Sequence, residues 1–190
     1  MILSKEDISK INNIVYDAGN AILDIYGTTF EVEIKSDESP LTQADKNSHL
    51  VIELGLNTLF PNIPILSEEG RNIPYSERKR WEMFWLVDPL DGTKEFVKRN
   101  GEFTVNIALI KDDYPIFGSV YAPFKKELFW AADGLGAWKS IDKNIDQPIK
   151  TLKSESSTRI VISRSHPNEK VTEYISQYNN HELIRMGSSL

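Results

Sequence analysis

The sequence predicts an α+β chain that passes into the opening of an α/β unit, and three observations predict it. Two stretches carry apolar residues three or four apart, the period of amphipathic helices. Short apolar runs follow, separated by Asp-Asp, Pro and Asp-Gly, which is the punctuation of an antiparallel meander. The final stretch then reads strand, helix, strand.

The first helix is expected over Ser4 to Tyr26, with Ile8, Ile11, Val15, Ala18, Ile22 and Ile25 on one stripe. Ser4 with Asp7 is its start signal and Gly27 its stop. Phe30 to Ile34 alternates as a short strand, and Lys35 to Thr42, with Ser, Asp and Pro, reads as loop. A second helix spans Gln43 to Phe60, with Leu50, Leu54 and Leu59 expected among its buried residues, and stops before Pro61. Ile63 to Leu66 is a strand candidate, and Arg71 to Arg80 a solvated loop. Met83 to Val87 is a continuous apolar run, expected as a strand buried on both faces. Thr104 to Ile110, Ile116 to Tyr121, Glu127 to Ala131 and Ala137 to Lys139 form the meander. The polar stretch Lys139 to Ser157 marks the expected boundary between an α+β domain, 1–150, and a second unit, 151–190. In that unit Arg159 to Ser163 and Glu182 to Met186 are strands around a helix from Asn168 to Tyr178. A β-α-β unit belongs to a larger sheet, so this second unit is expected to be incomplete at Leu190.

Composition excludes several classes. The 190 residues carry 22 Lys plus Arg against 28 Asp plus Glu, a net charge of −6. Affinity for a polyanion comes largely from Lys and Arg neutralising phosphates, so a nucleic-acid polymer is not an expected partner. No apolar run exceeds five residues, far below the ~18 of a membrane span. The start, MILSKEDISK, lacks the long apolar segment of a secretory signal. Zero Cys excludes a disulfide framework, a thiolate zinc site and a thiol nucleophile, and fits a cytoplasmic location. The three His, at 49, 166 and 181, are never four apart, which argues against a His-based zinc site.

The densest polar constellation is Asp88-Pro89-Leu90-Asp91-Gly92-Thr93, at the end of the most apolar strand candidate. Carboxylates three apart, with a φ-restricted Pro between them and a Gly after them, can converge on one point. They then repel unless one is protonated or a cation sits between them. A lone D-x-x-D-G is most often an Asx-capped turn. The acidic pair Glu68-Glu69, also at a strand end, shifts the balance toward a binuclear site for a hard cation, Mg²⁺ or Mn²⁺. The Leu90 carbonyl is a further candidate ligand.

Trp85 to Ile110, WLVDPLDGTKEFVKRNGEFTVNIALI, together with LSEEG at Leu66 to Gly70, resembles the inositol monophosphatase superfamily of Mg²⁺-dependent, lithium-sensitive phosphatases. The run Lys94-Glu95-Phe96 and Arg99 to Thr104 is closest to the bacterial bisphosphate nucleotidases of that superfamily. The resemblance covers essentially the whole chain and implies a layered α-β-α-β-α sandwich. It implies that Glu68, Asp88, the Leu90 carbonyl and Asp91 are metal ligands, for about two or three Mg²⁺ per site with Mn²⁺ as a substitute. Glu69 is then the neighbouring acid, and Asp45, with Thr93, orients the attacking water. Gly92 and Thr93 sit where the superfamily binds the scissile phosphate. Lys35, His166, Gly187, Ser188 and Ser189 fall at its substrate-contact positions.

The implied reaction is hydrolysis of the 3′-phosphate of adenosine 3′,5′-bisphosphate, with 3′-phosphoadenosine 5′-phosphosulfate as a second candidate substrate. Inositol phosphate and fructose bisphosphate remain alternatives, as does a non-catalytic metal or phosphate binder. The superfamily draws another metal-binding Asp from a W-D-x-A-A element, and neither Trp85 nor Trp138 is followed by Asp. By comparison of domain sizes another ~70–80 residues are expected after Leu190, so the second metal site and nucleoside pocket are expected to be incomplete. The resemblance also leaves open a homodimer and peripheral attachment to the inner membrane. Three other sets of residues keep bland readings. His166 is equally a solvated loop residue, Lys94 and Lys98-Arg99 read more readily as a solvated face than as phosphate-steering groups, and Trp81, Phe84, Trp85, Phe129, Trp130 and Trp138 as packing.

Overall fold

The computed structural model describes residues 3–34, 40–151, 158–165 and 168–189. Helix α1 (Lys5–Tyr26) opens on a capping box. The Asp7 N–H donates to Ser4 Oγ at 3.1 Å and the Ser4 N–H to Asp7 Oδ2 at 2.9 Å. Its buried stripe is Ile8, Ile11, Val15, Ala18 and Ile22. A small hairpin of β1 (Val32–Ile34) and β2 (Pro40–Thr42) leads into α2 (Gln43–Leu59), so the end of the expected loop is a strand. Helix α2 buries Ala44, Asp45, Ser48, Ile52 and Leu56. Leu50 and Leu54 were expected inside and are instead 59% and 73% exposed. Each lies two residues from a member of the i, i+4 row, a rotation of about 200° around the helix.

Strand β3 (Ile65–Ser67) runs parallel to β4 (Met83–Asp91). From β4 the sheet continues antiparallel through β5 (Thr104–Lys111), β6 (Tyr114–Ala122), β7 (Glu127–Ala132), β8 (Gly136–Ile141) and β9 (Gln147–Ile149), in spatial order 3-4-5-6-7-8-9. The polar stretch taken as a boundary thus holds the end of β8 and all of β9, whose own residues are exposed. Helix α3 (Tyr75–Arg78) interrupts the loop expected at 71–80. Helix α4 (Thr93–Val97) follows β4 directly.

Helices α1 and α2 pack on one face of this sheet, against Trp85, Val87, Ile107, Leu109, Phe117 and Leu128. Strand β4 is not buried on both faces: Trp85 and Val87 point into the core, and Leu86 between them is 45% exposed. The alternation is that of a strand covered on one side. The opposite face carries Leu66, Leu86, Ala108, Gly118 and Val120 around a groove of about 530 Å³. Beyond the sheet, β10 (Thr158–Ser163), α5 (Glu169–Ile175) and β11 (His181–Met186) form a parallel β-α-β unit, registered Thr158 to His181 through Ser163 to Met186. Among the described residues no helix is long and apolar enough to cross a membrane.

Candidate active site

The parallel pairing of β3 with β4 sets Ser67 opposite Val87, and the Glu68 N–H donates to the Val87 carbonyl at 3.1 Å. Glu68 is thereby delivered beside Asp88. On the other side of β4, Asp88 pairs with Asn106 and Asp91 with Thr104. Three steps along β4 oppose two along β5, which is a β-bulge with one extra residue. In a regular strand residues three apart face opposite sides; the bulge brings Asp91 within electrostatic reach of Asp88. The Ser48 hydroxyl fixes it from beneath by donating to the Pro89 carbonyl at 2.7 Å.

Asp91 is held by the far end of the chain. The Ser188 and Ser189 hydroxyls both donate to Asp91 Oδ2 at 2.7 Å. Ser188 Oγ is also 2.8 Å from Thr104 Oγ1, and Asn106 Nδ2 donates to Ser189 Oγ at 3.3 Å. Gly92 turns the backbone from β4 into α4 at φ +91°, where a Cβ would meet the Glu102 carbonyl at 2.9 Å and Ser188 Cβ at 3.0 Å. A cleft of about 290 Å³ results, lined by Glu68, Asp91, Thr93, Lys94, Ser165 and Ser188 among others.

Burial, then the negative charges of Glu68 and Asp91, push the Asp88 carboxyl up to about 8, and it shares a hydrogen bond with Glu68. Its Oδ1 is buried without a partner. A carboxyl group that must keep a proton among other acids is one that a cation would serve equally well. Among the described residues no three His, Asp or Glu side chains form a ready-made metal cage. Asp91 is engaged by serine hydroxyls while Glu68 and Asp88 share their hydrogen bond. The donor set of carboxylate and carbonyl oxygens, with no imidazole lining the cleft among the described residues, fits a hard cation.

Beside the acids, Thr93 Oγ1 donates to Asp45 Oδ1 at 3.2 Å and lies 3.3 Å from the Leu90 carbonyl. Asp45 is 1% exposed. Its other oxygen completes the α2 capping box, accepting from the Thr42 N–H at 2.8 Å and the Thr42 hydroxyl at 2.6 Å. Burial pushes its carboxyl up, and the bonds from Thr42 and Thr93 oppose that. Asp45 is therefore both a structural cap and the acceptor behind Thr93.

Glu69 diverges from Glu68: it lines a cavity on the α2 side of β3 with His49, Glu53, Arg71 and Trp81. Lys35 and His166 lie outside the described residues. Lys94 lines the cleft, and Lys98 donates to Ser165 Oγ at 3.1 Å. Arg99 is structural, its guanidinium donating to the carbonyls of Tyr26 and Thr28 and lying over the Phe30 ring. Trp130 and Trp138 stack on each other, as packing groups do. Nothing in the sequence singles out Ser48. Glu95, Glu102, Thr104 and Asn106 stand in it only inside the motif run from Trp85 to Ile110, and Arg164 and Ser165 only as neighbours of His166, without the contacts that join them: Ser165 Oγ donates to Glu95, and Arg164 to Glu102.

The inositol monophosphatase family profile matches residues 4–190. The "3′(2′),5′-bisphosphate nucleotidase CysQ" of Salmonella typhimurium is 45% identical over 96% of this chain and 74% of its own length. Its namesake in Escherichia coli K12 is 44% identical over the same shares. The crystal structure of CysQ from Bacteroides thetaiotaomicron, described as a bacterial member of the inositol monophosphatase family, superposes with a TM-score of 0.83 at 38% identity, covering 97% of this chain and 74% of that one. By sequence and by fold, the chain belongs to the inositol monophosphatase family.

Proposed function

We propose that this protein is a Mg²⁺-dependent phosphatase that removes the 3′-phosphate of adenosine 3′,5′-bisphosphate, giving AMP and phosphate. The observation that carries the reading is the meeting of Glu68 and Asp88 through a hydrogen bond, with Asp91 close enough to raise the Asp88 carboxyl, beside a cleft that Glu68 and Asp91 line. The names of the most similar relatives support the choice of nucleotide. Asp88, Asp91, Glu68 and the Leu90 carbonyl are the groups that would hold the cation. Bound there, it would neutralise phosphate oxygens and make water acidic enough to attack at neutral pH.

The chain's own residues supply the rest. Thr93 gives its hydroxyl hydrogen to Asp45, which leaves its lone pairs free to accept a hydrogen bond from the attacking water. As the water oxygen bonds to phosphorus and the bond to the ribose 3′-oxygen breaks, the water's proton passes through Thr93 to Asp45. The leaving oxygen takes a proton from solvent. Burial that raises the Asp45 carboxyl makes it a better acceptor at that moment. Gly92 and Ser188 shape the floor on which the phosphate rests.

The test is phosphate release with Mg²⁺ from adenosine 3′,5′-bisphosphate, run beside 3′-phosphoadenosine 5′-phosphosulfate, inositol 1-phosphate and fructose 1,6-bisphosphate. The bisphosphate nucleotide is expected to show the highest kcat/KM. Preference for inositol 1-phosphate would overturn the substrate assignment, and no turnover with retained Mn²⁺ binding would leave a metal binder.

A further inference from the structure

Glu102 belongs to the Gly-Glu-Phe-Thr run that precedes β5, and Arg164 to the Ser-Arg-Ser segment that follows β10. Neither lines the cleft, yet they meet in a two-pronged ion pair: Arg164 Nε donates to Glu102 Oε2 at 2.6 Å and Nη2 to Oε1 at 2.7 Å. The same Nη2 donates to the Arg185 carbonyl at 2.7 Å, at the end of β11. Glu102 Oε2 then accepts the Gly187 N–H at 2.9 Å. The Glu102 side chain is 16% exposed. The Arg164 bonds, followed by the Gly187 N–H, hold its carboxyl below the usual carboxylate range, so it stays ionised at neutral pH. Gly187 lies close against both acids, since a Cβ there would meet Glu95 Cγ at 2.5 Å and Glu102 Oε2 at 3.1 Å. The next residues, Ser188 and Ser189, are those whose hydroxyls donate to Asp91.

We infer that Glu102 and Arg164 are positioning residues for the phosphate cleft: the carboxylate, steadied by the guanidinium fork, grips the Gly187 N–H and so fixes where the Ser188 and Ser189 hydroxyls stand relative to Asp91. This rests on the proposed phosphatase reading for its kinetic consequence. The couple touches no reacting atom, so its loss loosens the wall that receives phosphate without altering Thr93, Asp45 or Asp88. Binding weakens in ground and transition states alike, which raises KM and spares kcat.

The experiment uses the whole protein with three changes: Glu102→Ala, Arg164→Met, which keeps an apolar stem, and the exchanged pair Glu102→Arg with Arg164→Glu. The exchange restores opposite charges but places no carboxylate under Gly187. Amide hydrogen exchange at Gly187 is followed by NMR, inorganic phosphate affinity is measured in the presence of Mn²⁺, and KM and kcat are taken on adenosine 3′,5′-bisphosphate. In Glu102→Ala and in the exchanged pair, Gly187 exchange is expected to speed up and phosphate affinity and KM to worsen, each roughly tenfold. Arg164→Met should fall between these and wild type, with kcat within about threefold and Mn²⁺ still bound in all three. Unaltered Gly187 exchange in Glu102→Ala overturns the inference. So does faster exchange with phosphate affinity unmoved, or recovery of phosphate affinity in the exchanged pair. Absence of turnover in the wild type would remove the functional reading alone, because exchange and phosphate binding still decide what the couple does.

Discussion

The Ser48 hydroxyl donates to the Pro89 carbonyl at 2.7 Å, a bond that joins the middle of helix α2 to the bulge of β4 across 41 residues of sequence. Both groups are buried, and the carbonyl lies within the bulge between Asp88 and Asp91. Ser48→Ala leaves that acceptor unsatisfied and should cost ~1–3 kcal/mol, read as a lower urea midpoint at unchanged m. An equal midpoint would show that the bulge holds itself.

Asp45 has two duties on two oxygens. An Asn can keep the acceptor toward Thr42 while presenting an amide donor to Thr93, whose hydrogen then turns to the Leu90 carbonyl, a group that cannot take a proton away. Asp45→Asn should therefore lower kcat by ~10²-fold or more with Mn²⁺ affinity nearly kept. Thr42→Ala, which removes the cap hydroxyl, should instead cost ~1 kcal/mol of stability. Wild-type turnover in Asp45→Asn would dismiss the proton-acceptor role.

The Asp88 carboxyl gives a pH dependence of definite sign. Raised from 3.8 to about 8, it keeps its proton in the cation-free folded state where the unfolded chain has lost it. The stability this contributes is complete below the unfolded value and is lost as pH rises through the folded one. Thermal melts without divalent cation should fall between about pH 4 and 8, with Asp88→Asn flattening the slope. Mn²⁺, which competes with that proton, should bind more tightly as pH rises through the same window. A flat profile in the wild type would contradict the buried-acid picture.

Gly92 and Gly134 both sit at positive φ, +91° and +74°, but only Gly92 has neighbours against its missing Cβ. Gly134→Ala should show the backbone term alone, ~1–2 kcal/mol. Gly92→Ala should cost visibly more and also weaken phosphate affinity, since Ser188 must move. Equal losses at the two sites would mean the close approach to Ser188 is easily relaxed.

Much of this was legible where the cause is local. The cap at Ser4 and the apolar stripe of α1 depend on residues a turn apart, as does the Thr42 to Asp45 capping box that the loop reading of Lys35 to Thr42 passed over. So does the Asp88 to Thr93 turn at the end of β4. Leu50 and Leu54 misled because leucine is apolar on any face, and Ser48 and Asp45, which occupy the buried row, are polar residues with buried partners. Leu86 misled for the converse reason, an apolar side chain on the open face of the sheet. The contacts from Ser48 to Pro89, Glu102 to Arg164 and Ser188 to Asp91 span 41, 62 and 97 residues, and no periodicity encodes them. The separation of Glu68 from Glu69 into two cavities is made by the turn that follows Ser67, closed by the Gly70 N–H on the Ser67 carbonyl at 3.1 Å, which no periodicity announces.

Among the described residues, strand β3 is three residues long, lies at the margin of the seven-stranded sheet and has β4 as its one neighbour there. Short marginal strands are the first parts of a sheet to fray. Each time these rungs open, Glu68 drifts out of register and the acid cluster ceases to exist as a unit. An ion held as proposed by Glu68 and Asp88 together would thus also be a rivet for the edge of the sheet, and the lifetime of that edge would set how long the cluster stays assembled.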